Sequence, residues 1–444
     1  MRRAILAVLL VLLLAGIAAT AWAVRHAEIA AIEPPEPASL DAGLVERGEM
    51  LAAIGGCASC HADSDGALSG GRRLETPFGA IYSTNITPDP GAGIGTWSEA
   101  ALRRAMREGV DRAGRHLYPA FPYDHYTLTS DADIAAIYAW LMSRPAVAAE
   151  TPANGLSFPF NIRWLLAGWK LLYLETGPFE PDPARDERWN RGAYLVEGPG
   201  HCAACHSPRN RLGARDRARD YAGGEAEGWH APALDASSPA PVPWDADALI
   251  NYLYDGWDET HGIAAGPMAE VVANIGGIAE SDMEAIAAYL LSLQERQGGG
   301  EGAGDAAMAF ARRVAFGAPD EPAPPPGPAL RRGLEIFAAR CADCHRAASE
   351  TVPLALATTV AGPDPRNIIR IILDGVKPSE NAYFVRPMPG FRTLTDAEIV
   401  DLVRFIRDRF ADQPAWTGLE AAVAETRAGG EAPPAQRAGG AAKP

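Results

Sequence analysis

The 444-residue chain has no cysteine outside three five-residue units, no surplus of positive charge, and no second apolar run as long as its first. Each absence excludes something. With 56 acidic against 40 basic side chains and a net charge of −16, a phosphate-binding surface has no basis, which excludes nucleic acid as a partner. No strand–GxGxxG–helix unit offers a dinucleotide site, and no nucleophile constellation is present. The chain therefore shows no catalytic apparatus of its own. Its composition, 48% apolar and 22% charged, is that of an ordinary folded protein, and its length suggests about three domains.

What is present begins at the N-terminus. Arg2 and Arg3 precede an uninterrupted apolar run of 21 residues, Ala4 to Val24, closed by Arg25. That is long enough to span a bilayer, so residues 1–25 are expected to form a retained membrane anchor. Ala21-Trp22-Ala23 leaves a cleaved signal peptide open. Under either reading the remainder is exported.

The six cysteines lie in Cys57-Ala-Ser-Cys60-His61, Cys202-Ala-Ala-Cys205-His206 and Cys341-Ala-Asp-Cys344-His345. C-x-x-C-H is the signature of c-type haem attachment: two thiols add to the porphyrin edge, and the following histidine reaches the iron. A zinc site would join two pairs and orphan the third, with three histidines unexplained. Three covalent haems c are expected.

Each unit sits in a repeated frame. An Arg-Gly helix precedes it, with Arg47-Gly48, Arg191-Gly192 and Arg332-Gly333. A second helix follows it and ends at Gly109, Gly256 or Gly375, the expected C-caps. An amphipathic helix opened by Ser or Thr and acid closes the frame, with Tyr138, Tyr289 and Phe405 expected to pack on the glycine of the first helix. The fold class is all-α: tandem haem modules at 41–145, 186–296 and 329–412 behind the anchor. Residues 146–185 form a link with an aromatic-rich segment, "FPFNIRWLLAGWKLLYL", too short and too charged to span a membrane. Its Trp164, Trp169 and Tyr173 suit packing between modules, or docking to a partner or a lipid interface. Residues 297–328, Gly- and then Pro-rich, are expected to tether the third module flexibly, and 413–444 to be a disordered tail.

An electron-carrying haem needs its sixth position filled, usually by Met or His. Met268 lies twelve residues after Gly256 and Met388 thirteen after Gly375, both beside a proline and both expected on an extended loop. The same count in the first module reaches Phe121, and a second ruler of seventeen residues back from Tyr138 and Phe405 agrees. Phenylalanine cannot bind iron. His125 is the expected replacement, with His116 or an open iron as alternatives, and His/His coordination would give this module the lowest potential. Met106, Met142 and Met283 are expected to be packing residues, His201, His230 and His261 no ligands, and Arg209 and Arg211 either propionate partners or solvated.

Over Leu44 to Asp412 the chain resembles the three-haem cytochrome c subunits of membrane-bound bacterial dehydrogenases. The resemblance rests on "TNITPDP", "GRHLYPAFPYDHYT", "WNRGAYLVEGPGHCAACHSPRNRLGA" and "GPMAEVV". It implies a subunit on the periplasmic face of the bacterial inner membrane that takes electrons from a catalytic dehydrogenase subunit and passes them to ubiquinone or a terminal oxidase. Where the alcohol and gluconate branches carry "YPAMPY", this chain has Phe121. "PAFPYDH" is similar to the branch accompanying molybdenum hydroxylases of aldehydes or N-heterocycles, which implies a molybdopterin-type partner and a small iron–sulfur subunit. The competing readings are a multihaem peroxidase using the first haem, and a subunit of a pyrroloquinoline-quinone alcohol or flavin gluconate dehydrogenase.

Overall fold

The computed structural model describes Gly16 and residues 26–294, 302–317, 327–347, 349, 351–379, 382 and 385–429. The expected anchor, apart from Gly16, lies outside these residues. Among the described residues no helix is long and apolar enough to cross a membrane. Of the described residues, those up to Pro181 together with Glu197–His201 form one compact unit, and Asp182–Val196 with those from Cys202 onward form a second.

The first unit is built on three helices. The leading helix, Ala42–Ile54, is capped by Asp41, whose carboxylate accepts from Leu44 N. The middle helix, Glu99–Glu108, is capped by Ser98 and ends on Gly109 at φ 61°, the left-handed conformation that glycine adopts without strain. The closing helix, Asp131–Met142, is capped by Ser130. Gly109 and Ser130 take the places expected of them. Arg47 on the leading helix pairs with Asp133 on the closing helix at 2.5 Å. At their crossing, a Cβ on Gly48 would stand 2.0 Å from the Ala136 carbonyl oxygen and 2.7 Å from the Trp140 Cβ.

Small sheets interrupt the expected all-α plan. Arg73–Thr76 and Gly79–Tyr82 form a hairpin, and Gly155–Leu156 adds a third antiparallel strand. The residues expected to link modules are thus part of this unit. Asn85 Nδ2 donates to the carbonyls of Val147 and Ala149. Trp169, on the helix Leu166–Tyr173, sets its ring edge-on to Tyr123 at 6.0 Å.

The second unit repeats the frame twice. Helices Glu187–Glu197, Ala246–Asp255 and Glu280–Gln294 serve the second haem motif. Pro328–Arg340, Arg366–Asp374 and Asp396–Phe410 serve the third. Arg191 pairs with Asp282 through two 2.8 Å bonds, and Arg332 with Glu398 at 3.0 Å. A Cβ on Gly192 would lie 1.9 Å from the Ala285 oxygen, and one on Gly333 2.2 Å from the Asp401 oxygen. The aromatic beyond each carbonyl is Tyr289 and Phe405, each four residues on. In the first unit that position is Trp140 and not the expected Tyr138, whose hydroxyl donates instead to Trp97 O. Tyr138 and Trp140 lie two residues apart, and a rotation of about 200° separates them on a helix.

Two further expectations are overturned. Within 297–328, Ala303–Val314 is a helix that buries Ala311 and Val314 in the apolar cluster of the third motif. Within 413–444, Leu419–Ala428 is a helix that buries Leu419 and Val423 in the same cluster, while Trp416 Nε1 donates to Gly362 O. Apolar burial offsets the low intrinsic order of these Ala/Gly-rich stretches. Nor does the third motif hang loose: Arg366 pairs with Glu225 at 2.5 Å, and Asn367 exchanges bonds with the backbone of His230.

Candidate haem sites

Two of the three motifs lie on short helices, Cys57–His61 and, with Cys202 as its N-cap, Ala203–His206. A helical turn brings residues four apart to one side, so Cys57 and His61 project together. The histidine rings are held from behind. His61 Nδ1 donates to Thr84 O at 2.6 Å, and His206 Nδ1 to Pro232 O at 2.8 Å. Each bond fixes the tautomer and leaves Nε2 as the nitrogen with a lone pair. The carbonyl of Thr84 opens the "TNITPDP" stretch, which gives that stretch a role the sequence did not disclose. His345 Nδ1 is buried with no hydrogen-bond partner among the described residues.

Burial lowers the pKa of His61, His206 and His345, which keeps the imidazoles neutral and able to bind iron. Burial, with Cys60 adding to it, pushes the Cys57 thiol up to about 12. Burial and Cys344 push Cys341 up to about 11, and burial raises Cys205 against the pull of Arg209. Such thiols resist becoming the thiolates that zinc requires, and suit conversion to neutral thioethers. Among the described residues no group of three or more His, Cys, Asp or Glu side chains could hold a metal ion. A neutral imidazole beside a pair of cysteines with no competing metal cluster among the described residues fits haem c. When bound, that group supplies one-electron chemistry.

The sixth-ligand candidates fall as follows. Leu117 N donates to Gly109 O and Ala264 N to Gly256 O, so the two loops share one register, with Phe121 and Met268 each four residues further on. The count from the capping glycine therefore stands for these two. Met268 is the second residue of a helix, Pro267–Ile275, and not on an extended loop, because Pro267 is preorganised for a first helical position. In the third module Met388 itself forms the bridge with Val376, through 2.9 Å bonds in both directions. The ruler from the closing aromatic fails: with Trp140 in place of Tyr138, Phe121 is nineteen residues away and Met388 seventeen.

In two of the modules the cysteine and the sixth-position residue border the same apolar cluster. Cys57 and Phe121 pack against one apolar cluster, as Cys341 and Met388 do against another. Phe121 lies 5.2 Å from the ring of Tyr126, whose hydroxyl donates to Gly55 O. His125 is buried on the single turn Tyr123–Tyr126, its Nδ1 2.9 Å from Glu197 O and its ring edge-on to His201. Like His61 and His206, it is held by a carbonyl behind Nδ1. His116 is buried too, but its Nδ1 lies 3.0 Å from Lys170 Nζ. Met106, Met142 and Met283 are fully packed, as expected. Arg209 is committed to the carbonyls of Gly213 and Ala204 rather than free for a propionate.

Comparison with known proteins agrees with this chemistry. A family model described as cytochrome c matches residues 190–294, and one described as cytochrome c oxidase, cbb3-type, subunit III matches 328–406. A nicotinate dehydrogenase subunit of Pseudomonas putida is 46% identical over 423 residues, covering 93% of this chain; the chain spans only 34% of that relative's length. The fructose dehydrogenase cytochrome subunit of Gluconobacter japonicus is 33% identical over 420 residues, covering 90% of this chain and 86% of that protein. The gluconate 2-dehydrogenase cytochrome c subunit of Pantoea cypripedii is 35% identical, covering 86% and 89%. The chain belongs to the family of cytochrome c subunits of dehydrogenases, electron-transfer proteins that carry covalent haem c.

Proposed function

We propose that this chain carries three haems c and relays electrons from a molybdopterin-type dehydrogenase subunit, with a small iron–sulfur subunit, to ubiquinone or a terminal oxidase at the periplasmic face of the bacterial inner membrane. The observation that carries the haem count is the threefold recurrence of one frame. Each Cys-x-x-Cys-His unit follows an Arg-Gly helix whose arginine pairs with an acid of the closing helix. The identity to the nicotinate dehydrogenase polypeptide, together with Phe121 in place of a thioether, supports the molybdopterin type. The chain's own part is to attach the groups through Cys57, Cys60, Cys202, Cys205, Cys341 and Cys344, and to present His61, His206 and His345 as neutral ligands. Met268, Met388 and His125 complete the coordination.

Three measurements test this. Denatured protein is expected to exceed the mass of the bare chain by three haems, and fewer would refute the count. The intact complex is expected to co-purify with a large subunit that contains molybdenum; a quinoprotein or flavoprotein in its place would reassign the partner. A multihaem peroxidase would instead turn over peroxide, whereas a six-coordinate carrier shows almost no such activity.

A further inference from the structure

In the first unit the large apolar side chains that are most exposed gather in one stretch, with only Ile32 and Leu44 elsewhere among its described residues. Leu171 is 87% exposed, Phe158 79% and Leu172 68%, with Phe160, Trp164 and Leu165 also exposed. No acidic residue occurs from Gly155 to Leu174, although the chain as a whole is strongly acidic. The two charges in the stretch point inward. Arg163 donates to His116 O at 2.9 Å. Lys170 is buried, and its ammonium donates to Glu108 O at 2.7 Å and Gly109 O at 2.5 Å. A helix bathed by water has the opposite pattern, with charges outside and leucines beneath.

The surrounding contacts indicate what covers this face. His116, held by both Arg163 and Lys170, also meets the ring of His26 edge-on at 5.3 Å. The segment after His26 is tied down by Ile29 N donating to Arg112 O and by Arg104 donating to Ala27 O. Directly before His26 the sequence has Arg25 and the 21-residue apolar run Ala4–Val24. His26, the residue that follows this run and Arg25 in the sequence, thus lies against His116, which Arg163 and Lys170 of the exposed apolar stretch hold, and a face so placed suits the water–lipid boundary. An aromatic residue such as Trp164 and an acid-free surface suit that boundary, where anionic headgroups repel carboxylates.

We propose that Phe158–Tyr173 lies in the plane of the membrane surface, with Phe158, Trp164, Leu171 and Leu172 in contact with lipid. This rests on the membrane location proposed above. The test uses the full chain with its haems in proteoliposomes of phosphatidylethanolamine and phosphatidylglycerol doped with a photoactivatable phosphatidylethanolamine. Cross-links are expected in 158–173 as well as in the apolar run. The Leu171→Glu/Leu172→Glu double variant, with an unchanged haem spectrum, should lose those in 158–173 by roughly tenfold and keep those in the run. Cross-links confined to the run would overturn the proposal and leave the membrane location standing. A chain that stays out of the liposomes altogether would overturn both. Protein cross-links from 158–173 to the catalytic subunit in the purified complex would assign the face to that partner instead of lipid.

Discussion

At the scale of single residues, the first module carries Phe121 where the second, in a shared register, carries Met268. Replacing that side chain should move its chemistry toward the second. Phe121→Met combined with His125→Ala is expected to add the far-red band of Met-ligated ferric haem and to raise the lowest potential in a redox titration. His125→Ala alone should open the first site to added carbon monoxide, and a spectrum blind to it would reject His125 as ligand. Lys170 makes a different prediction. Burial lowers its pKa from 10.5 to about 8, against the pull of Glu108 and Asp111. Between those values the unfolded chain holds the proton that the folded chain has released, so folding costs least at high pH. The denaturation midpoint should rise with pH from about 8 to 10.5 relative to Lys170→Met, and parallel curves would reject the shift.

At the scale of elements, the helices were legible wherever local chemistry decides them. Ser130 and Thr395 cap as their sequence positions suggest, whereas Ser281 lies inside the helix Glu280–Gln294 that it was expected to open, and Gly109 and Gly256 terminate in the left-handed region. The thiol–imidazole motifs were legible for the same reason. What escaped is what depends on partners distant in sequence. Choosing between Tyr138 and Trp140 requires knowing which helix face meets Gly48. The carbonyls of Thr84 and Pro232 behind the histidines carry no side-chain signature at all. Ala303–Val314 and Leu419–Ala428 have compositions that read as linker and tail, and only the shared apolar cluster reveals them as helices. The crossings make a direct prediction. Gly192→Ala, with its Cβ 1.9 Å from a backbone oxygen, should destabilise by about 1–3 kcal/mol in thermal unfolding. Gly168→Ala, in a helix with nothing within 4 Å, should be neutral or stabilising by about 0.5–1 kcal/mol.

At the scale of the whole molecule, the second and third motifs share a compact unit fastened by Arg366–Glu225, Asn367 with His230, and Arg370 Nε donating to Gly228 O. These bonds reach the strand Trp229–Ala231, which leads directly into Pro232, the carbonyl that orients His206. Asn367→Ala should therefore shift the second haem's potential as well as soften the unit, while leaving the first potential unchanged in a redox titration.

The three imidazoles are not equally supported. A carbonyl drawing on the far nitrogen makes the near one a stronger donor, and His61 and His206 each have such a carbonyl. His345 has none among the described residues, and is expected to be the weakest donor of the three. Weaker donation makes the ferrous state easier to reach, so under the proposed function the third haem is expected to show the highest potential of the three in a redox titration, and a third potential below the second would reject this.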